Sequence, residues 1–329
     1  MRIAITLLLT FWATQLTALC TGASFMDRLT DAERAEIAAN VAATPYPSGL
    51  FWTASKGDKT LHLIGTMHIT DRRLDAVLNR AAPLVEAADL LMVEATKDDE
   101  AALQARFAAN PEMIFIMDGP TLPERLDEET WQALSEATRA RMVPPFMAAK
   151  MQPWYLSLTL AIPPCIMSEM MSGQRGLDHM VMGVAEDIGV PIQSVEDPLA
   201  VMTALSGGTF EEQLEALKLS LLAPDLQSEM FVAMLSSYFA EDIAEIWEAS
   251  RIAVNYVPEL DPATAEALFA DMEQNLLIQR NKDWIPVIEA AFAEVDTITL
   301  AVGAAHIPGA EGVLSLMEAS GWTIAPAAN

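Results

Sequence analysis

Short apolar runs of strand character alternate along this chain with longer stretches of helical periodicity, and that alternation leaves few architectures open. Residues 51–55 and 60–65 flank Lys56-Gly57-Asp58, a hairpin signal. Residues 89–95 (DLLMVEA), 192–195 and 297–302 read as further strands, and 322–325 as a last short one. Helices are expected at 30–42, where Thr30 and Glu33 have capping-box spacing, and at 74–88, 99–109, 127–142, 178–188 and 309–320. From about 198 to 292 the periodicity is almost wholly helical, with breaks at Gly207-Gly208, Pro224, Pro258 and Pro286. Strands separated by helices imply an α/β fold: a mostly parallel central sheet flanked by helices, with the 198–292 block as a large helical insertion or cap.

Composition narrows function. Of 329 residues, 52 % are hydrophobic and 20 % charged, which excludes an intrinsically disordered chain. A formal net charge of −27 argues against nucleic acid and anionic lipid as partners, since both call on a Lys/Arg surface. Arg2 is the only charge before Asp27, residues 3–19 are mostly apolar, and small residues follow at 21–24. A basic start, a short apolar core and a small-residue exit describe a secretory signal peptide. Residues 1–23 are therefore expected to be removed, leaving 24–329 as one domain, periplasmic or secreted, with no stable membrane span. Leu19 before Cys20 does not suit lipidation. If Cys20 leaves with the leader, Cys165 is the only cysteine, and neither a disulfide framework nor a Cys-ligated zinc site is expected. Cys165, in AIPPCIM, then reads as a buried small hydrophobe.

One short motif recurs. Gly65-Thr66-Met67-His68 and Gly303-Ala304-Ala305-His306 share the form G-x-x-H, and each follows a β run. The carboxyl ends of strands in an α/β sheet are where ligands bind. Gly65 and Gly303 allow a sharp turn and close approach by a bound group. If the two strands are neighbours, the loops bring His68 and His306 together. Glu94 ends the run Leu90-Leu91-Met92-Val93 in the same way. Two imidazoles and a carboxylate suffice to hold a divalent metal with an open position; without thiolate, Mn, Co or Zn suits them. Ordinary loop histidines are the competing reading. H-E-x-x-H, C-x-x-C, Walker and G-x-S-x-G motifs are absent from the sequence. His62 reads as a strand side chain and His179 as a surface residue.

These segments, in order, resemble the TraB/GumN family, to which the Tiki proteins are related. The resemblance runs over about residues 51–324, through LHLIGTMHIT, DLLMVEA, GLDHMVMGVAEDIGVPIQSVED, LLIQRNKDWIPVI and TLAVGAAHIPGAEGVLSLMEASGWTI. It implies an α/β core of the erythromycin esterase/ChaN type carrying helical insertions, and a metal-dependent hydrolase, with metalloprotease activity described for the Tiki relatives. The family's active-site residues fall here on His68, His306 and Glu94. The resemblance supplies no substrate. Given the motif match, Arg280 reads as a site residue that binds a substrate carboxylate or an acidic partner, with Asn281 beside it. Glu196, at a strand end, reads as an acid behind the ligands. Asp178 reads as the cap of its helix.

The expectation is thus an exported metal-dependent peptidase acting on a peptide or protein. His68 and His306 bind a divalent metal, and Glu94 is either the third ligand or the general base. The alternative is a binding protein without turnover, holding haem, metal or a peptide on the same fold. A third reading makes the Met-rich helical block an adaptable partner surface, against which stands a plain Met-filled core.

Overall fold

Residues 20, 22–171, 173–257 and 261–327 are described, from a computed structural model. Of the expected leader, only Cys20, Gly22 and Ala23 fall among them. The six strands are β1 (Phe51–Lys56), β2 (Lys59–Thr66), β3 (Leu90–Val93), β4 (Ile192–Ser194), β5 (Thr297–Gly303) and β6 (Thr323–Pro326). They form one sheet in the order β4-β3-β5-β2-β1-β6. β4, β3, β5 and β2 are parallel neighbours. β1 returns antiparallel to β2 through a turn in which Gly57 has φ +66°, a left-handed conformation that suits glycine, and β6 closes that edge antiparallel to β1. The class is the expected one, a mostly parallel α/β sheet flanked by helices.

Side-chain alternation divides the strands between two cores. Ile64, Leu91, Val93 and Ala301 pack on one face with helices Leu74–Glu86 and Leu177–Ile188. Leu63, Met92, Leu300 and Val302 pack on the other with Trp284 and Ile288 of helix Gln279–Ala291 and with helix Val313–Ala319. The helical material is more than the 198–292 block. Glu128–Arg139 and Pro153–Ala161, both between β3 and β4, share a separate core with Phe210–Leu219, built on Leu134, Leu156, Leu160, Leu214 and Leu217. No helix among the described residues is long and apolar enough to cross a membrane.

The lone Cys165 expected once Cys20 leaves with the leader contrasts with the full chain, in which the two cysteines are paired. Cys20 and Cys165 form a disulfide with Cα atoms 5.6 Å apart. The sequence reading assigned Cys20 to the leader by its flanks, whereas its side chain is buried in the core that also holds Ile166, Met67 and Leu177.

Candidate functional site

Strand register builds the site. β2 and β5 pair with Thr66 opposite Gly303, and β3 and β5 with Val93 opposite Ala301. His68, Glu94 and His306 therefore leave the carboxyl ends of three adjacent strands. They meet beside Gly303. A Cβ on that residue would lie 3.3 Å from Glu94 Oε1, 3.6 Å from His306 Cδ2 and 3.7 Å from His68 Nε2. His68 Nε2 stands 3.8 Å from Glu94 Oε1, and the Gly303 N–H donates to that oxygen at 2.6 Å. Gly65 sits lower, against Ile307 and Leu50, with its carbonyl accepting from Tyr238 OH at 3.0 Å. Its place is in backbone packing under the loops.

The two histidines differ. His306 is 3 % exposed, and Trp284 lies against its ring. Its Nδ1 is 2.6 Å from Asn281 Oδ1, an acceptor, so Nδ1 carries the proton and Nε2 keeps a lone pair. Burial pushes its pKa down to about 3. The His68 side chain is 61 % exposed, with Nδ1 3.6 Å from Asp178 Oδ1. That carboxylate, helped by Glu94, holds its pKa well above the ordinary imidazole value.

Arg280 gathers the acids. It donates to Glu196 through Nε at 2.9 Å and Nη2 at 2.5 Å, and to Glu94 Oε2 through Nη2 at 2.5 Å. Nη1 donates to Leu276 O at 3.0 Å and faces His306 Nε2 at 3.3 Å. Trp284 Nε1 donates to Glu196 Oε2 at 2.8 Å. A π-helical turn, Gln274–Ile278, precedes helix Gln279–Ala291 and presents the Leu276 carbonyl to Arg280; such turns recur at functional sites. Burial opposes the charge on Glu94, but the surrounding imidazoles, Arg280 and the Gly303 N–H outweigh it and bring its pKa down to about 2.

The sequence profile of the TraB/PrgY/gumN family matches residues 50–326, which takes in every strand and every residue of this cluster. The chain belongs to that family. No curated protein matches it.

In this family member His68, Glu94 and Arg280 wall a cavity of about 200 Å³ that also touches Thr66, Asp178 and Glu196, with His306 outside its lining. Its charged walls are Glu94, Glu100, Asp178 and Glu196 against Arg280, with His68 between them. The field therefore favours a cation. Thr66 Oγ1 and Asp178 Oδ1 are buried there with no hydrogen-bond partner. Among the described residues no group of three or more His, Cys, Asp or Glu side chains is arranged to hold a metal ion. The lone pair of His306 Nε2 and the outer oxygen of Glu94 do face a cation, and that cation is Arg280. Imidazole nitrogen and carboxylate oxygen are donors of the kind that divalent metals take, and in this arrangement Arg280 stands where such an ion would meet His306 and Glu94.

Several partners escaped the sequence reading. Asp178 is not the helix cap: Gly176 is the N-cap, and the Asp178 side chain lies between His68 and His179. His179 is no free surface residue, because its Nδ1 meets Asp178 Oδ2 at 2.8 Å and its Nε2 meets Glu100 at 3.0 Å. His62 pairs with Thr53 Oγ1 across the hairpin at 3.1 Å, as a strand side chain should. Asn281 had a visible signal. It falls in the stripe Asn281, Trp284, Ile288 that forms the buried face of its helix, and a polar side chain in such a stripe needs a partner.

Proposed function

We propose that the protein is an exported metal-dependent hydrolase of peptide bonds, with His68 and His306 as ligands through Nε2 and Glu94 as third ligand or general base. The observation that carries this reading is the meeting of the three side chains beside Gly303; two of them, His68 and Glu94, line a cavity with an excess of carboxylates. A divalent Mn, Co or Zn ion in such a set lowers the pKa of bound water and polarises a carbonyl. The chain's own residues supply the rest. Asn281 holds the His306 ring with its lone pair outward. Gly303 N–H holds Oε1 of Glu94, and Oε2, which Arg280 holds, is the oxygen open to a proton or metal once Arg280 moves away. Arg280 keeps two donors on Glu196, so it can release Glu94 and His306 without losing its ion pair. Glu196 is thus the anchor of Arg280, and Arg280 is the group placed to meet a substrate carbonyl or carboxylate. Export is supported by the Cys20–Cys165 bond, because disulfides persist in oxidising compartments. The bond persists in the mature protein only if the leader is cut ahead of Cys20; a cut after residue 23, as the sequence suggests, removes Cys20 and with it this support.

The test is metal analysis of the exported protein together with peptide turnover under Mn, Co and Zn. A wild type that is metal-free and inactive with all three refutes the reading. One observation favours the alternative of binding without turnover: Arg280 already fills the lone pairs of Glu94 and His306. A haem band in an absorbance scan, or stoichiometric capture of an uncleaved peptide, would establish that alternative.

A further inference from the structure

We infer that Asp178 is the positioning residue that orients His68, with His179 and Glu100 clamping its carboxylate from behind. The inference rests on the hydrolase reading only for what the oriented imidazole then does. His68 has little else to fix it. Its side chain is 61 % exposed, and its two ring nitrogens face two carboxylates, Glu94 at 3.8 Å from Nε2 and Asp178 at 3.6 Å from Nδ1.

Backbone packing brings Asp178 to that place. A Cβ on Gly176 would lie 2.2 Å from Met67 O and 2.4 Å from the His68 carbonyl carbon. Only glycine lets the start of helix Leu177–Ile188 lie this close to the histidine loop. The Leu177 N–H then donates to Met67 O at 2.9 Å. Loop and helix start form one unit, and Asp178 is carried by it to His68 whatever its side chain does.

The carboxylate is used asymmetrically. Oδ2 is taken by His179 Nδ1 at 2.8 Å, and His179 is held at its other nitrogen by Glu100 at 3.0 Å. Oδ1 is buried with no hydrogen-bond partner, and it is the oxygen that faces His68. A carboxylate serving only to start a helix would direct its oxygens to backbone N–H groups. A buried carboxylate oxygen is costly until a donor reaches it, and a small ring rotation brings His68 Nδ1 within bonding distance. That bond leaves Nε2 directed at Glu94 and the Gly303 gap. A carboxylate behind an imidazole in this way fixes the ring and raises its basicity as a ligand.

Two measurements on the full mature protein test this. In the metal-free protein, three-bond side-chain couplings of His68 report its χ1 rotamer. In the metal titration, competition with a chromogenic chelator reports affinity. Wild type is expected to hold His68 in one rotamer. Asp178→Ala is expected to average it and to weaken metal binding by about 10–100-fold. Asp178→Asn keeps the volume but offers one acceptor to the two imidazoles that face it, so it is expected to restore the ordering only in part, whereas a role in packing alone would be restored in full. If Asp178→Ala does not fold, Asp178→Leu keeps the volume, removes both oxygens and carries the same expectation. A folded Asp178→Ala or Asp178→Leu protein with one His68 rotamer and unchanged affinity overturns the inference, as does averaging in wild type. If wild type binds none of the metals, the hydrolase reading falls, and the couplings alone still decide the role of Asp178.

Discussion

Reduction of the Cys20–Cys165 bond should be felt across the whole molecule. The two residues are separated by 145 positions, so the bond closes a loop that takes in β1, β2 and β3. The chain-entropy relation for a loop of that length gives about 5 kcal/mol at room temperature, and residual structure in the unfolded chain trims this to about 2–5 kcal/mol. For a domain of this size roughly 2 °C of melting temperature accompanies each kcal/mol, so reduction should lower the midpoint by about 4–10 °C. The assay is thermal unfolding by circular dichroism of the mature protein, purified oxidised, with and without reductant. Cys165→Ser is the control, expected to melt low in both conditions. The first region to lose amide protection should be the segment around Cys165, since Ile166 shares its core with Met67 and Leu177 under the histidine loop. The centre of the sheet should hold. Superimposable melts of oxidised and reduced protein, or two free thiols titrated in the unreduced exported protein, would refute both the bond and the argument for export built on it.

Three further outcomes follow from the geometry. His68→Ala and His306→Ala should both abolish metal binding, but only the second should cost stability, about 2–3 kcal/mol, because it strands Asn281 Oδ1 and opens a gap beside Trp284; equal melting of the two variants would contradict their unequal burial. Glu196→Gln removes the charge that anchors Arg280 and accepts from Trp284, and denaturant unfolding should show a loss of about 3–5 kcal/mol; a loss within experimental scatter would mean that Glu94 alone holds the guanidinium. Gly303→Ala puts a methyl where the three side chains meet, so metal affinity measured by chelator competition should fall at least about tenfold while the melting temperature stays close to wild type; unchanged affinity would place the metal elsewhere.

What was legible in the sequence was local. The runs LHLIG, DLLMV and TITLAVG became β2, β3 and β5 because short apolar runs specify buried strands, with a glycine marking the end of the first and last. His68, Glu94 and His306 could be picked out because each follows such an end. Their convergence was not legible, because it depends on β5, the last strand of the parallel set, inserting between β3 and β2. Strand order is decided by packing over the whole chain, and no residue near His306 records it. The same limit explains the errors. Asp178 in a first helical turn looks like a cap, since that is where carboxylates usually satisfy backbone N–H groups; its real partner is set by what Gly176 lacks, a Cβ against the His68 backbone. The pairing of Cys20 was not legible for the same reason, since its partner lies in a different segment altogether.

Asn281 marks where local reading can be pushed further. An amide at a position that helical periodicity assigns to the core is a debt in hydrogen bonds. That debt announces a buried acceptor or donor somewhere opposite, even when the opposite element is unknown. Arg280, one residue earlier, carries the same message in charge, and Thr66, at the inward end of β2, carries it still unanswered in this structure. Polar residues at core positions beside the ends of parallel strands therefore locate a site more sharply than the exposed acids, which the sequence offers in far greater number and which mostly cap helices or meet solvent.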